Sequence, residues 1–229
     1  MTNDMLLTDR IEIQTHPEGG VIEIWTLNRP ERLNALNWAT HAELIEACER
    51  VESDDSVRVV VITGSQPIET SGRQKPKSFA AGADISEFSG KNSDDVRPKF
   101  ENNAWERVWN LSKPTIAMVD GFALGGGTEL ALSCDIRIAS EESKFGQPEI
   151  NLGLIPGGGG TQRLTQLVGY GVSMEMILTG DMITAERAKD IGLVNRVVPS
   201  SELMNVTLDI AMEIGKKSPA VLKVAKRAV

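Results

Sequence analysis

The sequence predicts an α/β fold, and three observations carry that prediction. Strand-like segments alternate with segments of helical spacing along the whole chain. The run Val57-Arg-Val-Val-Val-Ile-Thr63 is largely β-branched, the mark of a strand covered on both faces. At 229 residues the chain is near the upper end of what one hydrophobic core organises, so a single domain over 1–229 is expected. The 41% hydrophobic and 24% charged content excludes a disordered chain and a collagen-like repeat. No apolar run approaches the roughly 20 residues that span a bilayer. The opening segment Met1-Thr-Asn-Asp-Met-Leu-Leu-Thr-Asp-Arg10 lacks the basic-then-apolar pattern of a secretion signal.

Alternation at 11–13 and 21–27 predicts two strands joined by a turn at Pro17-Glu-Gly-Gly20. Asn28-Arg-Pro30 breaks the pattern, and a helix is expected over 38–51 because Leu44, Ile45, Cys48 and Val51 share one face. After the strand 57–63, residues 64–83 form the longest irregular stretch, punctuated by Pro67, Gly72 and Pro76. A helix over 94–111 follows, with Pro98 placed near its first turn, where proline is tolerated. The strand 115–119, a loop 120–125, the helix 126–134 and the strand 135–139 come next. Residues 147–160 read as irregular, and helices are expected at 160–168 and 173–178. Thr184 is a good N-cap for a helix ending near Gly192. A short strand at 194–198, a helix at 201–217 and another opened by Pro219 complete the reading. That last helix keeps its apolar spacing to Val229 with no glycine cap, which points to a chain cut short.

The net charge is −8, and no basic stripe is visible, so nucleic acid is not an expected partner. Cys48 and Cys134 lie far apart and form no CxxC, which suits a reducing cytoplasm. The two histidines, His16 and His41, are near the N-terminus and away from every glycine-rich motif. A histidine-based triad or metal cluster is therefore not expected, and the chemistry falls to carboxylates and backbone.

Three glycine-rich segments stand out: Ala80-Ala-Gly-Ala-Asp84, Leu124-Gly-Gly-Gly-Thr-Glu-Leu130 and Ile155-Pro-Gly-Gly-Gly-Gly-Thr161. None continues into the Gly-Lys-Ser/Thr of a P-loop, the dinucleotide fingerprint or a nucleophile elbow. What they share is bare backbone, which lets amide N–H groups approach a ligand. Gly125-Gly-Gly-Thr-Glu129 lies where a loop becomes a helix, so its unpaired N–H groups could stabilise a developing oxyanion. Taken alone, the same segment reads first as glycines for close packing and Glu129 as a favourable first-turn acid. Glu149, between apolar stretches and just before a glycine loop, is either a solvated side chain or a partly buried one. Two carboxylates in an apolar pocket could divide acid and base work, although spacing alone does not bring them together.

Taken in order, Asn28-Arg-Pro-Glu-Arg-Leu-Asn-Ala-Leu36, Phe79-Ala-Ala-Gly-Ala-Asp84, Lys113-Pro-Thr-Ile-Ala117, Gly121-Phe-Ala-Leu-Gly-Gly-Gly-Thr-Glu129, Phe145-Gly-Gln-Pro-Glu149 and Pro156-Gly-Gly-Gly-Gly-Thr-Gln-Arg-Leu164 resemble an enoyl-CoA hydratase of the crotonase superfamily. The resemblance covers about the whole chain. It implies a spiral of ββα units over about 1–198, with a helical C-terminal region starting at about 199–229, and assembly as trimers or dimers of trimers. It implies acyl-CoA thioesters as substrates, with CoA entering as part of the substrate and no cofactor or metal besides. Amides matching Ala83 and Gly126 would form an oxyanion hole. Glu129 would activate water, and Glu149 would supply the proton at the α-carbon. Gly157 would help to hold the site through its backbone. Ala35, Leu36, Ala81, Asp84 and Ile85 match stretches bordering CoA, and Arg29 or Arg32 could meet its phosphates.

Isomerases of the superfamily generally lack the first glutamate, so the pair Glu129 and Glu149 favours reversible hydration of short-chain 2-enoyl-CoA, of the crotonyl-CoA, 3-hydroxybutyryl-CoA or 3-hydroxypropionyl-CoA kind. An enoyl-CoA isomerase is the alternative, and an RNA-binding or scaffolding relative is a third reading. Two departures from the family pattern stand out: the excursion 65–78 is longer than usual, and the chain stops within the helix opened by Pro219.

Overall fold

A computed structural model describes residues 4–13, 19–70, 72–101 and 103–229 of the protein. Strand β1 (Leu6–Glu12) pairs antiparallel with β2 (Val21–Leu27), from Leu6 opposite Leu27 to Glu12 opposite Val21. β1 begins well before the strand expected at 11–13, because it is an edge strand with a mostly exposed, polar middle that carries no apolar alternation. His16, and Pro17 and Glu18 of the expected turn, lie outside the described residues. Helix α1 (Trp38–Ser53) starts at Asn37, whose side chain accepts from the Thr40 amide, and buries Leu44, Cys48 and Val51 as its spacing predicts.

Strand β3 (Val57–Gly64) is buried along all but its last residue. Val60 and Ile62 join one apolar cluster, while Val59 and Val61 join a second on the opposite face. This is the two-sided burial that the β-branched run predicts. The stretch expected to be irregular contains a small hairpin, β4 (Glu69–Thr70) with β5 (Arg73–Gln74), and a short buried strand, β6 (Ser78–Ala80). The single helix expected over 94–111 is two: α2 (Ser93–Glu101) and α3 (Ala104–Trp109). Asn103 breaks the run by capping α3, its side chain accepting from the Glu106 amide, and Pro98 lies in the interior of α2.

The chain then alternates between two sheets. Strand β7 (Thr115–Val119) joins the large sheet, β8 (Phe122–Leu124) the small one, and α4 (Gly126–Leu132) follows. Strand β9 (Ile136–Ser140) and β10 (Lys144–Gly146) repeat the step, followed by a 3-10 turn at Pro148–Leu152 and α5 (Gly160–Val168). β3 and β6 form the same kind of pair ahead of α2 and α3. The order β2-β3-β7-β9 is parallel throughout, and β6, β8 and β10 are parallel in the small sheet. This is a spiral of strand–strand–helix units.

Helix α6 (Tyr170–Thr179), strand β11 (Met182–Thr184) on the small sheet and α7 (Ala185–Asp190) follow, with Thr184 capping α7 as expected. Strand β12 (Arg196–Val198) closes the large sheet. Helix α8 (Leu203–Gly215) covers its second face, where Leu203 and Ala211 pack with Ile22, Val59, Ile116 and Ile138. Helix α9 (Pro219–Ala228) is tied back by Lys226, which donates to Asp135 at 2.8 Å. No described helix is long and apolar enough to cross a membrane.

Candidate active site

The site forms where β8 turns into α4. Gly125 adopts φ +48°, a region that side chains rarely enter, and a Cβ there would lie 2.9 Å from Glu149 Oε1. Its amide donates to the Gly146 carbonyl at 2.9 Å, and Thr128 Oγ1 donates to Ala123 and Gly146 carbonyls at 2.6 and 3.0 Å. The turn is thus fastened to β10 from both ends. Gly126 begins α4, so its amide has no acceptor within the helix.

Facing it runs the segment after β6. The Leu36 amide donates to Gly82, and the Asp84 amide donates to Leu36, both at 2.8 Å. Leu36 and Ala83 form an isolated parallel bridge whose two hydrogen bonds are made by Gly82 and Asp84, so the Ala83 amide is not spent on Leu36. Ala83 N lies 3.4 Å from where a Cβ on Gly126 would sit. The backbone nitrogens of Ala83 and Gly126 therefore lie close together on the surface of the cleft.

Two carboxylates flank that point. Glu129 is only 2% exposed, and its Oε1 accepts from the amides of Gly158 at 2.7 Å and Gly160 at 2.8 Å. Both bonds fall on Oε1, which leaves Oε2 for the cleft. Burial pushes the Glu129 carboxyl upward in pKa, opposed by those two amides and by the Arg163 guanidinium. Arg163 is itself fixed, donating to the Gly158 carbonyl at 2.8 Å with its guanidinium 4.7 Å from the centre of the Trp109 ring. Glu149, in the 3-10 turn, is half-buried, and burial together with the Glu129 charge pushes it to about 7. The fully buried Gln147 faces Glu149, and with its amide nitrogen turned to that carboxylate it would donate to both oxygens at 3.0 and 3.1 Å.

The cleft holds about 610 Å³, with Glu129, Glu149, Ala81, Ala83, Gly126 and Gly157 on its surface. Phe88, Trp105, Leu152, Leu154 and Ile155 give it an apolar wall, and Ile85 lies at its edge. Arg29, Ala35, Leu36 and Asp84 are placed differently. Arg29 donates to the Ala35 carbonyl at 2.6 Å and pairs with Asp84 at 2.9 Å, so it braces two loops. Leu36 is a core residue. Gly157 lines the cleft, and the amides of the neighbouring Gly158 and Gly160 hold Glu129. Gln147 and Arg163 both lie inside motifs that the sequence singled out, yet nothing in the pattern gave them a task. No group of three or more His, Cys, Asp or Glu among the described residues is placed to hold a metal ion.

Two neighbouring backbone amides, a buried carboxylate and a second carboxylate raised to about 7 share the cleft, a set of groups suited to acid–base chemistry. The chain belongs to the enoyl-CoA hydratase/isomerase family, which it matches over residues 16–229. It is 47% identical over 213 residues to a short-chain-enoyl-CoA hydratase of Clostridium acetobutylicum, covering 92% of this chain and 78% of that one. It is 42% identical over 208 residues to the 2,3-dehydroadipyl-CoA hydratase of Escherichia coli, covering 89% and 76%. Among solved structures, the enoyl-CoA hydratase from Bacillus anthracis superposes with a TM-score of 0.87 at 37% identity, over 98% of this chain and 81% of that one. The fold is accordingly that of the crotonase superfamily, as the sequence motifs implied.

Proposed function

We propose that the protein adds water reversibly and in the syn sense to short-chain 2-enoyl-CoA thioesters, of the crotonyl-CoA, 3-hydroxybutyryl-CoA or 3-hydroxypropionyl-CoA kind. The observation that carries this reading is the pair Glu129 and Glu149 beside the amides of Ala83 and Gly126.

The thioester oxygen accepts from both amides, which favours the charge that collects there as the reaction proceeds. Glu129, with Oε1 held by Gly158 and Gly160, takes a proton from water through Oε2 as the water oxygen bonds to the β-carbon. The electron pair of the double bond moves onto the thioester oxygen as an enolate. Its return forms the C–H bond at the α-carbon with the proton that Glu149 carries. A carboxyl near 7 is substantially protonated at neutral pH, as that donor must be. Dehydration runs the same steps backwards. CoA enters only as part of the substrate, and no metal or redox cofactor is required. Three chains or two such trimers, working in the cytoplasm without nucleic acid, complete the reading.

Loss of the conjugated-thioester absorbance of crotonyl-CoA tests it. Wild type consumes the absorbance and Glu129→Ala does not. A Glu129→Ala variant that still moves the double bond of a 3-enoyl-CoA into conjugation, matched by a wild type that adds no water, would instead make the protein an isomerase.

A further inference from the structure

Three consecutive glycines, 125 to 127, have no side chains to hold them, and glycine has the widest backbone freedom of any residue. Gly125 is held by its bond to Gly146, and Gly127 is wedged where a Cβ would meet the Ala80 carbonyl oxygen at 2.0 Å. Between them, Gly126 receives one side-chain hydrogen bond: Trp105 Nε1 donates to its carbonyl at 2.8 Å, in a buried setting. The same indole lies against Gly158, where a Cβ would come within 2.5 Å of Trp105 Cδ2. Behind it, the His41 ring packs edge-on with centroids 4.4 Å apart. One rigid ring thus abuts both the glycine whose amide points into the cleft and the glycine whose amide holds Glu129.

We infer that Trp105 is a positioning residue for this reaction: its indole N–H sets the orientation of Gly126, and its ring fixes the spacing between the oxyanion amides and the loop that holds Glu129. The inference rests on the hydratase reading of the site. Trp105 transfers no proton and accepts no charge, so its N–H acts in kcat and in carbonyl polarisation, whereas its ring, as part of the cleft wall, also bears on substrate affinity.

The test uses the whole chain with Trp105→Phe and with Trp105 replaced by 3-benzothienylalanine, which keeps the shape of indole without its N–H. Three readouts are taken: kcat and KM on crotonyl-CoA, the red shift of bound 4-dimethylaminocinnamoyl-CoA, and the carbonyl carbon-13 chemical shift of Gly126, which reports the hydrogen bond that this carbonyl accepts. Both variants are expected to lose about tenfold in kcat, the scale of one buried hydrogen bond, and the benzothienylalanine variant to keep KM within about threefold. The red shift is expected to shrink, and the Gly126 carbonyl signal to move upfield as it loses its donor. A folded benzothienylalanine variant with a wild-type Gly126 carbonyl shift and a wild-type red shift overturns the inference. A wild type that neither hydrates crotonyl-CoA nor red-shifts the probe overturns the hydratase reading instead, while the carbonyl shift still decides what the indole does for Gly126.

Discussion

Replacing Gly126 by alanine is the sharpest perturbation of the oxyanion site. A carbonyl oxygen accepting from both amides must sit about 2.7–3.1 Å from each nitrogen. The alanine methyl would stand 3.4 Å from Ala83 N and one bond from the Gly126 backbone, so it occupies that point. Loss of one oxyanion donor costs about 10²–10³ in kcat, and blocking the point reached by two costs at least about 10³, or roughly 4 kcal/mol of barrier. Stability moves little. Alanine is the better helix former by up to about 1 kcal/mol, offset by a 3.0 Å approach to Trp105 Cζ2. The melting temperature should therefore stay within about 4 °C of wild type, given the size of the chain. The assay is kcat on crotonyl-CoA alongside a calorimetric melt. A folded variant retaining more than about a tenth of wild-type kcat would refute the placement of the oxyanion between Ala83 and Gly126.

Gly127→Ala should behave oppositely, because its methyl meets the Ala80 backbone oxygen at 2.0 Å; urea unfolding should show a loss of about 2–4 kcal/mol, and an unchanged midpoint would contradict that packing. The Glu149 carboxyl, raised from its usual value to about 7, keeps a proton in the folded state that the unfolded chain releases between about pH 4.5 and 7. Stability should therefore fall as pH rises through that window and then level off, by about 1–2 kcal/mol once solvent screening of a half-buried group is allowed for. Glu149→Gln should remove that slope, and hydration by wild type should decline as pH rises above about 7. Arg29→Ala breaks the contacts to Asp84 and Ala35 and should destabilise by about 1–3 kcal/mol. Titrations of free CoA at several salt concentrations should give the wild-type salt dependence for this variant, since Arg29 is engaged within the protein; a shallower dependence would put it on a phosphate.

The sequence was most legible where periodicity is long. The run through Val57–Gly64, the face of Leu44, Cys48 and Val51, and the Thr184 cap all stand where the pattern put them. Three-residue strands such as Phe122–Leu124 and Lys144–Gly146 carry no period to read, so the second strand of each unit was hidden in apparent loops. Asn103 hid the break between two helices, because a polar residue in a helical pattern becomes a cap only when the chain turns there. In the site, both glutamates could be singled out because charged side chains stand out against glycine and apolar neighbours. The run from Gly157 to Gly160 has no side-chain landmark, and which amides reach Glu129 is decided by tertiary placement. Trp105 and Gly126 are 21 residues apart, and nothing local announces their hydrogen bond.

The division of labour between the two carboxylates is tested most directly by exchange at the α-carbon of butyryl-CoA in deuterium oxide, followed by proton NMR. A saturated thioester has no β-hydroxyl to lose, so exchange needs the oxyanion amides and the α-carbon base but not the water-activating group. Wild type and Glu129→Gln should both introduce deuterium, and Glu149→Gln should not. Exchange that survives in Glu149→Gln and disappears in Glu129→Gln would contradict the assignment of the two roles.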